Sequence, residues 1–88
     1  MPTDRAPFVG AIKEVRAGMI WVEEESATSG RRGNVRLLPS TEIVLRNGTM
    51  LPPQNLRRGM RATVFFRGAV DATVSAVSGT ASRIVVDY

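Results

Sequence analysis

The chain of 88 residues contains no cysteine and no histidine. Without cysteine there is no disulfide, thiol nucleophile or thiolate ligand. Without histidine there is no imidazole base, and zinc sites and catalytic triads that need either residue are excluded. Lysine is nearly missing too: eleven of the twelve basic residues are arginine, and Lys13 is the exception. Aromatic residues number five, a small stock for stacking. No apolar run approaches the roughly 18 residues of a membrane-crossing helix, and the first residues lack the apolar stretch of a secretory signal. The expectation is therefore a non-enzyme without cofactor or metal, cytoplasmic as written.

What is present describes one small folded unit. Apolar residues make up 43% and charged residues 23%, an ordinary globular balance. A chain of this length buries only roughly 60% of the surface that it exposes when unfolded. Residues 1–6 read as a flexible tail and residues 7–88 as a single domain. The net charge of +4 would draw nucleic acid, an anionic membrane or an acidic protein surface. The partner is left open between nucleic acid and an acidic protein.

Glycine and proline punctuate the chain about every ten residues, the rhythm of short strands. Phe8 to Val15 and Met19 to Glu25 predict a hairpin turning at Ala17-Gly18, with Gly10 marking a bend or bulge. Residues 26–33 read as a polar loop and Val35 to Leu38 as a third strand. Pro39 breaks that strand before Thr41 to Leu45 continues it. Asn47-Gly48 predicts a tight turn folding Met50 and Leu51 back toward Leu45, which outweighs the glycosylation pattern of Asn47-Gly48-Thr49. Pro53 to Gly59 leaves room for about one helical turn, with Pro53 at its first position, Gly59 as its left-handed cap and Leu56 as its anchor in the core. Met60 to Arg67 reads as a strand, residues 68–76 as an edge strand or extended loop, and Ala81 to Tyr88 as the last strand.

This order predicts an all-β fold: a small OB-like Greek-key barrel of five to six strands with one short helical turn. The alternative is a less regular meander barrel. The expected core is Ile12, Trp21, Val22, Leu37, Ile43, Leu56, Val64, Ile84 and Val86.

The later half carries a resemblance. Thr41-Glu42-Ile43, Leu56-Arg57-Arg58-Gly59, Gly68-Ala69-Val70 and Ala81-Ser82-Arg83-Ile84-Val85-Val86 together resemble the YobA-type bacterial domains of unknown function. The likeness spans about residues 8–87 and is densest after Thr41. It implies a small OB-like barrel, often found in exported or lipid-anchored proteins, and brings no functional residue. The family commonly has a Glu-Ser-Tyr-Pro-like segment where this chain has Asp71-Ala72-Thr73-Val74-Ser75, and there is no lipoprotein cysteine.

Three groups of residues invite a functional reading. Gly30-Arg31-Arg32-Gly33 has the form of the backbone-clamping loop of KH domains, but that loop joins two helices and the flanks here are strand-like, so a solvated hairpin loop is expected. Arg31, Arg32, Arg36, Arg57, Arg58, Arg61 and Arg67 could form a basic face. Phe65 and Phe66 are adjacent, so one points inward and the other outward, where it serves as a stacking platform or merely covers apolar surface. Glu23, Glu24 and Glu25 alternate across the sheet, place at most two carboxylates together, and suit a solvated strand end that offsets Arg31 and Arg32 better than an acid/base or calcium site. The expected function is a non-catalytic binding or accessory module of open ligand. The alternative is a single-stranded nucleic-acid-binding OB domain using Arg31, Arg32, Arg36, Arg57, Arg58 and Arg61 with Phe65 or Phe66.

Overall fold

Alternation of buried with more exposed side chains organises residues 8–12, 19–24 and 32–36. A computed structural model describes residues 7–25, 30–73 and 75–87; the expected tail, residues 1–6, lies outside them. The strands are β1 (Phe8–Arg16), β2 (Met19–Glu24), β3 (Arg32–Arg36), β4 (Glu42–Leu45), β5 (Arg61–Ala72) and β6 (Ala76–Asp87), with a single 3-10 turn at Pro53–Asn55. In β2, Ile20 and Val22 are buried while Met19 and Glu23 are exposed; in β3, Gly33 and Val35 are buried between exposed Arg32 and Arg36. Side chains of period two sort to the two faces of a sheet, so each strand presents one apolar row.

Those rows close on one another. β1 pairs antiparallel with β2 and β5, β2 with β3, and β5 with β6. The parallel pairing of β3 with β6 joins the two ends. The result is a closed ring of five strands, β1-β2-β3-β6-β5, with β4 added alongside β6. A meander pairs only sequence neighbours; the parallel β3–β6 seam is a crossover, and the order is that of a small OB-like Greek-key barrel. Closure leaves no open edge among the five barrel strands.

β3 and β4 are two halves of one interrupted strand. Arg32 to Arg36 run parallel to Ala76 to Thr80, and Glu42 to Leu45 run parallel to Arg83 to Val86 further along β6. Proline cannot donate to a ladder, and the break falls around Pro39. Thr41 repairs it: its Oγ1 accepts from the Leu38 N–H at 2.9 Å and donates to the Ala81 carbonyl at 2.7 Å. Beyond β4, the Gly48 N–H donates to the Leu45 carbonyl and the Leu51 N–H to the Ile43 carbonyl. The Asn47-Gly48 turn therefore folds the chain back as expected.

The interior is aliphatic. Ile12, Val22, Ile43, Leu56, Val64, Ile84 and Val86 are buried with Ile20 and Val35, each side chain contributing roughly 1.5–3 kcal/mol as an upper estimate. Pro53 opens the 3-10 turn, and Leu56 follows its last residue with 2% exposure. Gly59 lies outside the helical turn, where its N–H donates to the Ile12 carbonyl at 2.7 Å and ties this segment to β1.

The aromatic rings depend on two glycines. Phe8 lies over Gly33 and Phe66 over Gly79; a Cβ on either glycine would stand 2.7 Å from a ring carbon. The two rings meet edge to face with centroids 6.4 Å apart, a favoured aromatic geometry.

Several expectations are corrected. Trp21 is half-buried and lies outside the core, and Leu37 is half-buried and only packs against it: Trp21 sits between inward Ile20 and Val22, so it must point outward, and Leu37 follows the end of β3. β3 starts at Arg32, so the end of the expected loop is strand; residues 26–29 lie outside the described set. The last strand starts at Ala76 because Gly79 accommodates the Phe66 ring within it. β5 runs to Ala72, with register shifts after Phe65 and after Arg67. Gly10 is a site of close approach, where a Cβ would meet the Glu23 carbonyl oxygen; the β1–β2 irregularity lies between Ile12 and Glu14.

Candidate functional site

Cross-strand register places outward side chains in rungs around the barrel. One rung runs Arg16, Met19, Arg36, Thr80 and Arg67, through β1, β2, β3, β6 and β5. The next runs Glu14, Trp21, Asn34, Ser78 and Asp71. Three arginines thus share a rung beside a tryptophan. Met19 is 40% exposed, adding apolar surface between Arg16 and Arg36.

Arg32 belongs to the rung beyond Trp21, opposite Glu23. Its guanidinium reaches diagonally over the indole, 3.4 Å from the ring centre. A flat cation on the face of tryptophan is favourable by about 0.5–1 kcal/mol at an accessible site. Beneath this cover the indole Nε1 is buried without a hydrogen-bond partner, an unused donor on the sheet's outer side. Shallow depressions adjoin the pair: one of about 110 Å³ between Glu14, Arg16, Met19, Trp21, Arg32 and Asn34, and one of about 360 Å³ around Met19, Asn34, Arg36, Asp71, Ser78 and Thr80.

The other expected arginines do not join this face. Arg31 Nε and Nη2 donate to the two oxygens of Glu24 at 2.9 and 2.8 Å, and this hydrogen bonding raises the Arg31 pKa above its ordinary value. Arg57 folds back to donate to the Gln54 carbonyl, and Arg58 is exposed in the turn that follows the 3-10 segment. Arg61 starts β5 and pairs with Glu25 at 2.9 Å. The glutamates therefore offset Arg31 and Arg61, and Glu14 likewise pairs with Arg16 on the candidate face at 2.8 Å, while Arg32 is covered by stacking. Gly30-Arg31-Arg32-Gly33 is not a free loop, since Arg32 and Gly33 form the start of β3 and Gly33 is buried beneath Phe8.

The phenylalanines diverge as alternation requires. Phe65 points outward with 39% exposure, on a rung with Arg83 and Glu42, on the part of the barrel wall where β4 lies alongside β6. Phe66 packs against the core. Neither belongs to the Arg16–Met19–Arg36 rung; the aromatic next to that rung is Trp21. Sequence reasoning missed Arg16, Met19, Trp21 and Asn34 as surface partners. The alternation of Ile20 with Val22 and of Gly33 with Val35 was the available signal.

A second concavity opens at the barrel end where β1 starts. It measures about 420 Å³ and is lined by Pro7, Phe8, Glu24, Arg31, Phe66, Val70, Ala72 and Val77. Among the described residues no group of three acidic side chains gathers as a metal site would require, and no helix is long and apolar enough to cross a membrane. Comparison with protein-family models, curated proteins and solved structures returns no match.

Proposed function

We propose that the chain is a non-catalytic binding module that engages its ligand on the outer face of β2 and β3. The observation that carries this reading is the Trp21–Arg32 stack beside Met19, Arg16 and Arg36. A half-buried tryptophan offers apolar ring surface, and the arginines around it offer charge; recognition needs no nucleophile or base. The absence of histidine and cysteine supports the same reading. Kinship with YobA-type domains, carried by the strand and turn motifs after Thr41, belongs to this proposal, as does an accessory role in an exported context.

A second reading names the ligand as single-stranded nucleic acid, and the rung of Arg16, Arg36 and Arg67 favours it. OB folds hold oligonucleotides across their second and third strands, pairing stacked bases with a basic track. Here Arg32 would move from the indole to a phosphate, or a base would stack on the outer side of its guanidinium.

The test is a salt titration of a labelled single-stranded oligonucleotide against the native chain, Trp21→Leu, Arg36→Gln and Phe65→Ala. A nucleic-acid module keeps part of its affinity near physiological salt and loses it with Trp21, because stacking contributes about 1–3 kcal/mol per base whereas counterion release fades with salt. Binding that vanishes with salt and ignores Trp21 removes the nucleic-acid reading. For the broader reading, the intact chain is titrated with indole-stacking and anionic fragments; quenching of Trp21 that saturates supports it, and a Trp21 signal indifferent to all of them overturns it.

A further inference from the structure

The concavity at the barrel end combines an apolar floor with one oriented cation, and we propose that it binds a small apolar carboxylic acid. This inference does not depend on the outer face of β2 and β3. Phe8 and Phe66 meet edge to face and both line the open concavity of about 420 Å³, a volume within the size range of small-molecule sites. Val70, Ala72 and Val77, from the far part of the β5–β6 hairpin, supply its aliphatic wall.

Arg31 supplies the polar anchor. Its Nε and Nη2 edge is held by Glu24 in a two-point contact, and its guanidinium carbon stands 6.0 Å from the centre of the Phe8 ring. A guanidinium carries five N–H groups on two usable edges. Glu24 occupies one edge and locks the plane; among the described residues no bond is made by the other edge, formed by Nη1 and the second N–H of Nη2. The Arg31 side chain keeps 32% of its exposure, so that edge is reachable. A carboxylate fits it in the same two-point manner, with the acid's apolar body lying on Phe8, Phe66 and Val70. The protein's net charge of +4 favours an anion over a cation here.

The experiment is a heteronuclear NMR titration of the intact chain with 3-phenylpropionate and, separately, its neutral amide. The acid should give saturable shifts concentrated at the amides of Phe8, Arg31, Val70 and Val77, with the neutral amide about tenfold weaker. Two variants keep the test sharp whether or not one of them folds poorly. Val70→Trp fills the chamber and should abolish binding of both compounds. Arg31→Gln combined with Glu24→Gln removes the cation without leaving a lone carboxylate, and should make acid and amide bind alike. Shifts that stay linear to about 10 mM, that map to the outer face of β2 and β3, or that show no preference for the acid in the native chain would overturn the proposal.

Discussion

The Arg32 guanidinium lies 3.4 Å from the centre of the Trp21 ring, and the indole Nε1 beneath it is buried without a partner. Trp21 is the chain's only tryptophan, so its fluorescence reports this contact alone. In Arg32→Ala the emission should move to longer wavelength and quenching by acrylamide should increase, while stability falls by no more than about 1 kcal/mol. An unchanged spectrum would show that Arg32 does not cover the ring in solution.

Two glycines should respond differently to the same added methyl group. At Gly10 a Cβ would collide with the Glu23 backbone carbonyl, which the β1–β2 ladder holds in place. At Gly79 it would press on the Phe66 ring, 2.7 Å away, on a side chain that is only half-buried and can turn. Gly79→Ala should cost about 1–3 kcal/mol as an overpacked site, and Gly10→Ala more. Urea unfolding of both variants checks the order. Gly79→Ala combined with Phe66→Leu should recover part of the loss, a coupling expected only of residues in contact.

Leu56 follows the 3-10 turn and is 2% exposed. Leu56→Ala should lose about 2–5 kcal/mol by leaving a cavity in the barrel core. Denaturant titration measures it directly, and a variant that unfolds with the native chain would remove Leu56 from the core.

The Arg31–Glu24 pair should behave as a half-buried, charge-assisted contact. Glu24→Gln should cost on the order of 1 kcal/mol, and the double change to glutamine at both positions less than the sum of the single changes. The Arg31 pKa is raised by its hydrogen bonds to Glu24. The stability this arginine lends is thus complete below arginine's ordinary pKa and fades only as the pH climbs past the raised one. Raising the pH from neutral to about 10 should leave the double-mutant coupling unchanged.

Much of the barrel can be read from the chain because its signals are local. The turn at Asn47-Gly48, the break at Pro39 and the anchor at Leu56 each follow from the chemistry of adjacent residues. The strand position of Gly79 is not legible locally, because its complement, the Phe66 ring, lies on another strand and cannot be seen from the neighbours of Gly79. The expected core holds both Trp21 and Val22, although adjacent strand residues face opposite ways; parity along β2 gives the inward position to Val22 and outranks hydrophobicity. The arginines were legible as a charge and not as a pattern. Only register shows that Arg16, Arg36 and Arg67 share a rung, and only side-chain contacts show that Arg16, Arg31 and Arg61 are held by glutamates.

The parallel seam between β3 and β6 also constrains how the chain is made. Since β6 is translated after every other strand of the ring, Arg32 to Arg36 leave the ribosome long before their partners at Ala76 to Thr80 exist. Until then β3 presents bare ladder groups on one side and the nascent sheet exposes the apolar row destined for the core. Such distant pairing raises the contact order and slows folding toward the millisecond-to-second range, and the waiting intermediate is open to pairing with other chains. High-level expression should therefore lose material to aggregates of incomplete chains, and slower translation or a lower temperature should recover it.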